Sequence, residues 1–182
     1  TADRISALLG TEFELVRQQA ARRVMVTHDH PITRALPATL AYGDSYPFGP
    51  LLLPARSAVD TVGAVPLGHV AISLMYNRPG LLLAERGNGG TGNGMPGARG
   101  EGDCALLWSA AIPLPAGLLR EAARWGGCHV WCEENDVVLA SETIAALHSI
   151  KPGPRTLKLP TPRPVWNLLT GEGEQPKLLD AP

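Results

Sequence analysis

Glycine and proline constrain this chain most: its 182 residues hold 20 Gly and 17 Pro. Each proline fixes φ and removes a backbone donor, and each glycine costs extra entropy inside a helix or strand. Long helices are therefore disfavoured, and the composition predicts short elements joined by turns, in a β-rich or mixed fold. The glycines also cluster: Gly87–Gly102 carries eight glycines in sixteen residues and almost no apolar side chain. A segment of that composition cannot bury enough surface to order itself and reads as a mobile loop.

Length and charge narrow the function. A (β/α)8 barrel needs roughly 250 residues, so the commonest glycosidase scaffold does not fit in this chain. Lys and Arg number 16 against 17 Asp and Glu, a formal charge of −1. A phosphate-backbone binder needs clustered cations, so no nucleic-acid partner is expected. Apolar runs fall short of the ~18–20 residues of a membrane helix, and no membrane association is expected. The three cysteines, Cys104, Cys128 and Cys132, are too few for a disulfide framework and read as reduced thiols in a cytoplasmic protein. No basic segment precedes an apolar core at the start, so no signal peptide is expected. The chain opens at Thr1, as a processed product or a piece of a longer protein would.

Hydrophobic spacing predicts a helix over Asp3–Leu9, stopped by Gly10. Strands are predicted at Phe13–Val16, Val24–Thr27, Leu40–Gly43, Leu51–Leu53, Thr61–Val65, His69–Tyr76, Gly80–Glu85 and Cys104–Ser109, with Asn77-Arg78-Pro79-Gly80 as a turn. His30–Leu36 reads as a helical turn with Pro31 at its start, and Pro115–Trp125 as the best helix, ended by Gly126-Gly127. Strands are predicted again at Cys128–Cys132, Asp136–Ala140, Thr143–Ile150, Arg155–Leu159 and Val165–Leu168. The tail after Gly171 is expected to fray.

Three constellations bear on chemistry. Thr27-His28-Asp29-His30-Pro31 places two histidines on one side of a strand end, where imidazoles can ligate a metal; the alternative is that this segment caps the helical turn after it. Cys128-His129-Val130-Trp131-Cys132-Glu133-Glu134 offers two thiols and an imidazole, but a strand would split them across two faces, and no second Cys or His pair stands at matching spacing. His28, His30, Cys128 and Cys132 are thus weak metal candidates, and no metal or cofactor is expected. Glu133, Glu134 and Asp136 are weak candidates for the paired acids of glycoside cleavage, with a charged turn as the alternative. No Gly-x-Ser-x-Gly elbow is present, and the glycine-rich segment lacks the Gly-Lys-Ser/Thr ending of a phosphate loop.

Residues 114–171 carry a recognisable rhythm. It runs from Leu114-Pro115-Ala116-Gly117-Leu118-Leu119-Arg120 through Trp125-Gly126-Gly127-Cys128-His129-Val130-Trp131 and Asn135-Asp136-Val137-Val138-Leu139-Ala140. It continues through Ala146-Leu147-His148 and Gly153-Pro154-Arg155-Thr156-Leu157-Lys158-Leu159-Pro160 to Val165-Trp166-Asn167-Leu168-Leu169-Thr170-Gly171. This resembles the carboxy-terminal region of β-galactosidase-like glycoside hydrolases. Asp29-His30-Pro31-Ile32-Thr33-Arg34-Ala35-Leu36 resembles a segment of the same region.

The resemblance implies an α/β fold: part of a flavodoxin-like (class I glutamine-amidotransferase-like) sheet of the trimerisation-domain type, followed by a small all-β section. It implies residues 1–127 as the α/β part, 128–171 as the β-rich section and 172–182 as a flexible tail. The upstream barrel with its catalytic acids is absent from these residues, as are the first βαβ units and the amidotransferase nucleophile. The implied role is a non-catalytic accessory or oligomerisation domain, forming a homo-oligomer or serving a carbohydrate-active catalytic domain. Two other roles stand beside it: a small stand-alone hydrolase of glycosides or esters using Glu133, Glu134 or Asp136, or His30 with Asp29, and a metal-binding protein.

Overall fold

The structure, a computed structural model, describes residues 1–55, 64–73, 76–86, 104–171 and 173. The chain divides into two compact units, Thr1–Cys128 and His129–Pro182. The expected loop at Gly87–Gly102 lies outside the described residues, as does the expected tail apart from Gly173.

The first unit opens with helix α1 (Ala2–Leu9), which ends where Gly10 enters the left-handed region at φ 66°. Ser6 ties the helix to Phe13, because its hydroxyl donates to Ala2 O (2.9 Å) and accepts from Phe13 N–H (2.8 Å). Strands β1 (Phe13–Val16) and β4 (Leu51–Pro54) form an antiparallel ribbon. Strands β2 (Ala20–Val26), β3 (Ala41–Phe48), β5 (Ala64–Ser73), β6 (Tyr76–Arg86) and β7 (Cys104–Ser109) form a sheet in the order β3-β2-β5-β6-β7. Helices α2 (Pro31–Arg34) and α3 (Ala116–Trp125) complete the unit.

Strand β6 shows why the sheet is covered on both sides. Successive strand side chains point to opposite faces, so a continuous apolar run buries both. Leu81 and Leu83 join Val24, Val70, Ile32 of α2 and Leu118 of α3 in the main core, while Leu82 packs with Phe13 of the ribbon. Helices thus cover one face and the β1–β4 ribbon the other. Phe13 meets Trp108 of β7 edge-on, with ring centroids 5.0 Å apart.

The mixed α/β character agrees with the sequence expectation, but the sheet differs from a flavodoxin-like one. Every described strand pair is antiparallel, with bulges in the β2–β3 and β5–β6 ladders. A flavodoxin-like sheet is parallel, its strands joined by crossover helices. Here β5 and β6, consecutive in the chain, pair antiparallel as neighbours in the sheet.

Several local expectations are corrected. Asn77-Arg78-Pro79-Gly80 is not a turn: it lies inside β6, paired with β5 residues from Ala71 back towards Gly68. Bulges accommodate Pro79 there, and Gly80 allows close approach, since a Cβ on it would stand 2.5 Å from Val70 Cγ2 and 3.0 Å from Val70 N. Residues 64–73 form one strand through Pro66 and Gly68, rather than pieces of two.

Among the described residues of the second unit, only β8 (Val137–Ala140) and β9 (Ala145–His148) are strands, paired antiparallel as a two-stranded ribbon. Cys128–Cys132, Arg155–Leu159 and Val165–Leu168 are not strands, and Trp166 forms a single bridge with Gly173. Prolines on both sides of 155–159 and just before 165 remove donors that a ladder would need.

Candidate functional site

Of the acids singled out by sequence, Asp29 lies in the first unit beside His30, and Glu133, Glu134 and Asp136 belong to the second unit, whose scaffold decides what they can do. Segment 129–134 runs beside Lys158, whose N–H donates to Trp131 O (2.8 Å) and whose carbonyl lies 2.6 Å from His129 Nε2. The His129 ring meets Trp131 edge-on at 5.2 Å. Glu133 pairs with Lys158 across the same contact, with both side chains about half exposed.

Glu134 accepts a hydrogen bond from the Cys132 thiol (Sγ to Oε2, 2.9 Å). That bond holds the Glu134 carboxyl below its ordinary range. The same contact, with burial, pushes the Cys132 thiol up. A thiol held protonated is a poor nucleophile and a poor metal ligand, because both roles belong to the thiolate.

Asp136 is the most engaged of the three. Its side chain is almost wholly buried, pairs with Arg155 and accepts from Ile150 N–H (3.1 Å). The Arg155 guanidinium, then the Ile150 amide, hold its carboxyl below the usual range. Arg155 also donates to the carbonyls of Lys151 (2.7 Å), Pro154 (3.0 Å) and Gly153 (3.3 Å). One guanidinium thereby closes the Pro152-Gly153-Pro154 turn onto the start of β8. Five donors in a rigid fork make Arg suited to such a hub, where Lys would not serve. Sequence reasoning named Asp136 and missed Arg155; the available signal was a lone cation just after a Pro-Gly-Pro turn.

The histidine segment sits in the first unit and caps α2. His30 Nδ1 accepts from Ile32 N–H (3.2 Å), and its carbonyl accepts from the N–H groups of Thr33 and Arg34, each at 2.9 Å. Burial first, and the Arg34 charge second, lower its pKa from the ordinary imidazole value. The two ring nitrogens of His28 face Thr33 O (Nδ1, 3.0 Å) and Ala38 O (Nε2, 3.1 Å). Both rings are thus occupied in holding the Thr27–Leu40 connection, the arrangement of a cap and a strut rather than of metal ligands.

Cys128 is exposed at the end of the first unit, and Cys132 is buried in the second. Among the described residues no three of His, Cys, Asp and Glu converge as a metal centre would require. Nor does any described helix have the length and apolarity to cross a membrane.

A charged residue that sequence reasoning read as part of a turn proves central to the first unit. Arg78 on β6 has only 3% of its side chain exposed, pairs with Glu14 on β1, and donates to Pro54 O at the end of β4. It joins the ribbon to the sheet.

Compared with known protein families, curated proteins and solved structures, the chain matches none. Its class is therefore defined by its own geometry: a mixed α/β chain built on a curled antiparallel sheet, with a small ribbon-bearing second unit.

Proposed function

We propose that the chain is a non-catalytic assembly module related to the carboxy-terminal region of β-galactosidase-like glycoside hydrolases. It associates with copies of itself or covers a carbohydrate-active catalytic domain. The sequence resemblance over residues 114–171 supports the relationship; the antiparallel sheet differs from the amidotransferase-like sheet of those enzymes. The observation that carries the role is how the second unit uses its side chains. Its candidate acids Glu133, Glu134 and Asp136 are engaged in scaffold contacts with Lys158, Cys132 and Arg155. Its large apolar side chains face water: Val137, Leu139, Ile144, Ile150, Leu168 and Leu169 are all more than half exposed. Contiguous exposed apolar side chains mark surfaces that bind, and Val137 and Leu139, two apart on β8, share one face of the ribbon.

A panel of chromogenic glycosides and esters tests the non-catalytic claim. No turnover above buffer is expected. Turnover that disappears in Glu133→Gln or Asp136→Asn with the fold intact would assign the chain to the hydrolases instead.

A further inference from the structure

The contact between α2 and α3 contains a titratable part that the assembly role does not use. His30 stands at the head of α2, and its side chain makes two contacts there. Its Nδ1 lone pair accepts the Ile32 N–H, one of the amides a helix start leaves without an intrahelical partner. Its ring meets the Trp125 ring of α3 edge-on, with centroids 5.5 Å apart. Behind this contact Ile32 and Thr33 are buried, and Ile32 shares the main core with Leu118 of α3.

We propose that His30 is an acid-released catch between α2 and α3. Only the neutral imidazole can accept at Nδ1. A proton added there turns the acceptor into a donor facing another donor, so the Ile32 N–H loses its cap. The new cation also stands in a half-buried place, with Arg34 acting on it from α2. The charged and titratable groups on the approach and on the two helices are His28, Asp29, Arg34, Arg120, Glu121 and Arg124. Glu121 and Arg124 pair with each other on α3, and no carboxylate among the described residues takes a hydrogen bond from His30. Burial and Arg34 both favour the neutral form.

Acid therefore weakens the catch. The His30 pKa in the fold lies below the unfolded value of 6.5. The capping contribution is complete above pH 6.5 and is lost as pH falls through that value and then through the folded one.

Amide exchange and 15N-resolved NMR from neutral to acid pH test this on the full chain. The Ile32 amide is expected to shift in step with the His30 ring resonance, with a midpoint below 6.5. Its protection, corrected for intrinsic exchange, should fall roughly fivefold, the loss of one ordinary cap. His30→Asn supplies a capping oxygen that does not titrate, so Ile32 should stay protected throughout. His30→Ala should leave Ile32 weakly protected at every pH. An Ile32 amide that stays fixed while His30 titrates would overturn the proposal, as would a His30 midpoint at or above 6.5. So would an Ile32 response that persists in His30→Asn.

Discussion

Single residues hold this molecule at two charged hubs, and each makes a distinct prediction. Arg78 bridges ribbon and sheet from a buried position. Arg78→Met keeps the volume but leaves Pro54 O without that donor, while half-exposed Glu14 regains water. The expected cost is about 1–3 kcal/mol in chemical denaturation, the range for a buried group losing its partner. In the second unit, the Arg155 contact holds the Asp136 carboxyl below its unfolded value of 3.8. A depressed carboxyl contributes stability above that value and loses it as pH falls through the folded one. The second unit should therefore loosen below about pH 4, a slope that thermal melts should show in the wild type and show reduced in Asp136→Asn, where the depressed Glu134 carboxyl still contributes. Chemical type alone does not distinguish a catalytic acid from a structural one. Asp136 was legible as an acid beside strands, whereas Arg155 and Ile150 N–H, which decide its role, come from residues 19 and 14 positions away.

Elements were most legible where local rules suffice. Helix α3 is set by its apolar face and the Gly126-Gly127 stop, and it docks through fully buried Leu118. Leu118→Ala should cost about 2–5 kcal/mol, as large-to-small core changes do, and a smaller loss would mean that α3 is not seated on the sheet. The first half of β6 was not legible as strand because Pro-Gly normally marks a turn, and only the neighbouring strand explains the glycine. Val70, itself fully buried, passes so close to Gly80 that a side chain has no room. Gly80→Ala is accordingly expected to destabilise by about 1–3 kcal/mol, read by urea midpoint. The same tertiary logic bears on association. Edge strand β3 carries Pro47, which has no N–H to donate, and Gly43, whose φ of 100° bends the strand. These features blunt an edge against strand pairing. In the proposed assembly role, association accordingly falls to apolar faces and not to β3. On the β8–β9 ribbon, Val137 lies opposite His148 and Leu139 opposite Ala146, and all four residues are exposed.

At the scale of the whole molecule, the two units differ in how they are stabilised. Thr1–Cys128 has a layered core; the second unit has Cys132 as its one buried apolar side chain among the described residues and relies on polar latches. A two-stranded ribbon is marginal in water without something to pack against. That is the physical basis for reading this chain as part of an assembly. Leu139→Asp places a carboxylate beside exposed Val137 on the ribbon face and should weaken association while leaving the first unit folded. The most direct measurement is sedimentation velocity of the wild-type chain over a wide concentration range. Self-assembly predicts a species with a mass that is a multiple of 19.3 kDa, shifting towards the single chain in Leu139→Asp. A single 19.3 kDa species at every concentration would contradict self-assembly as this chain's role.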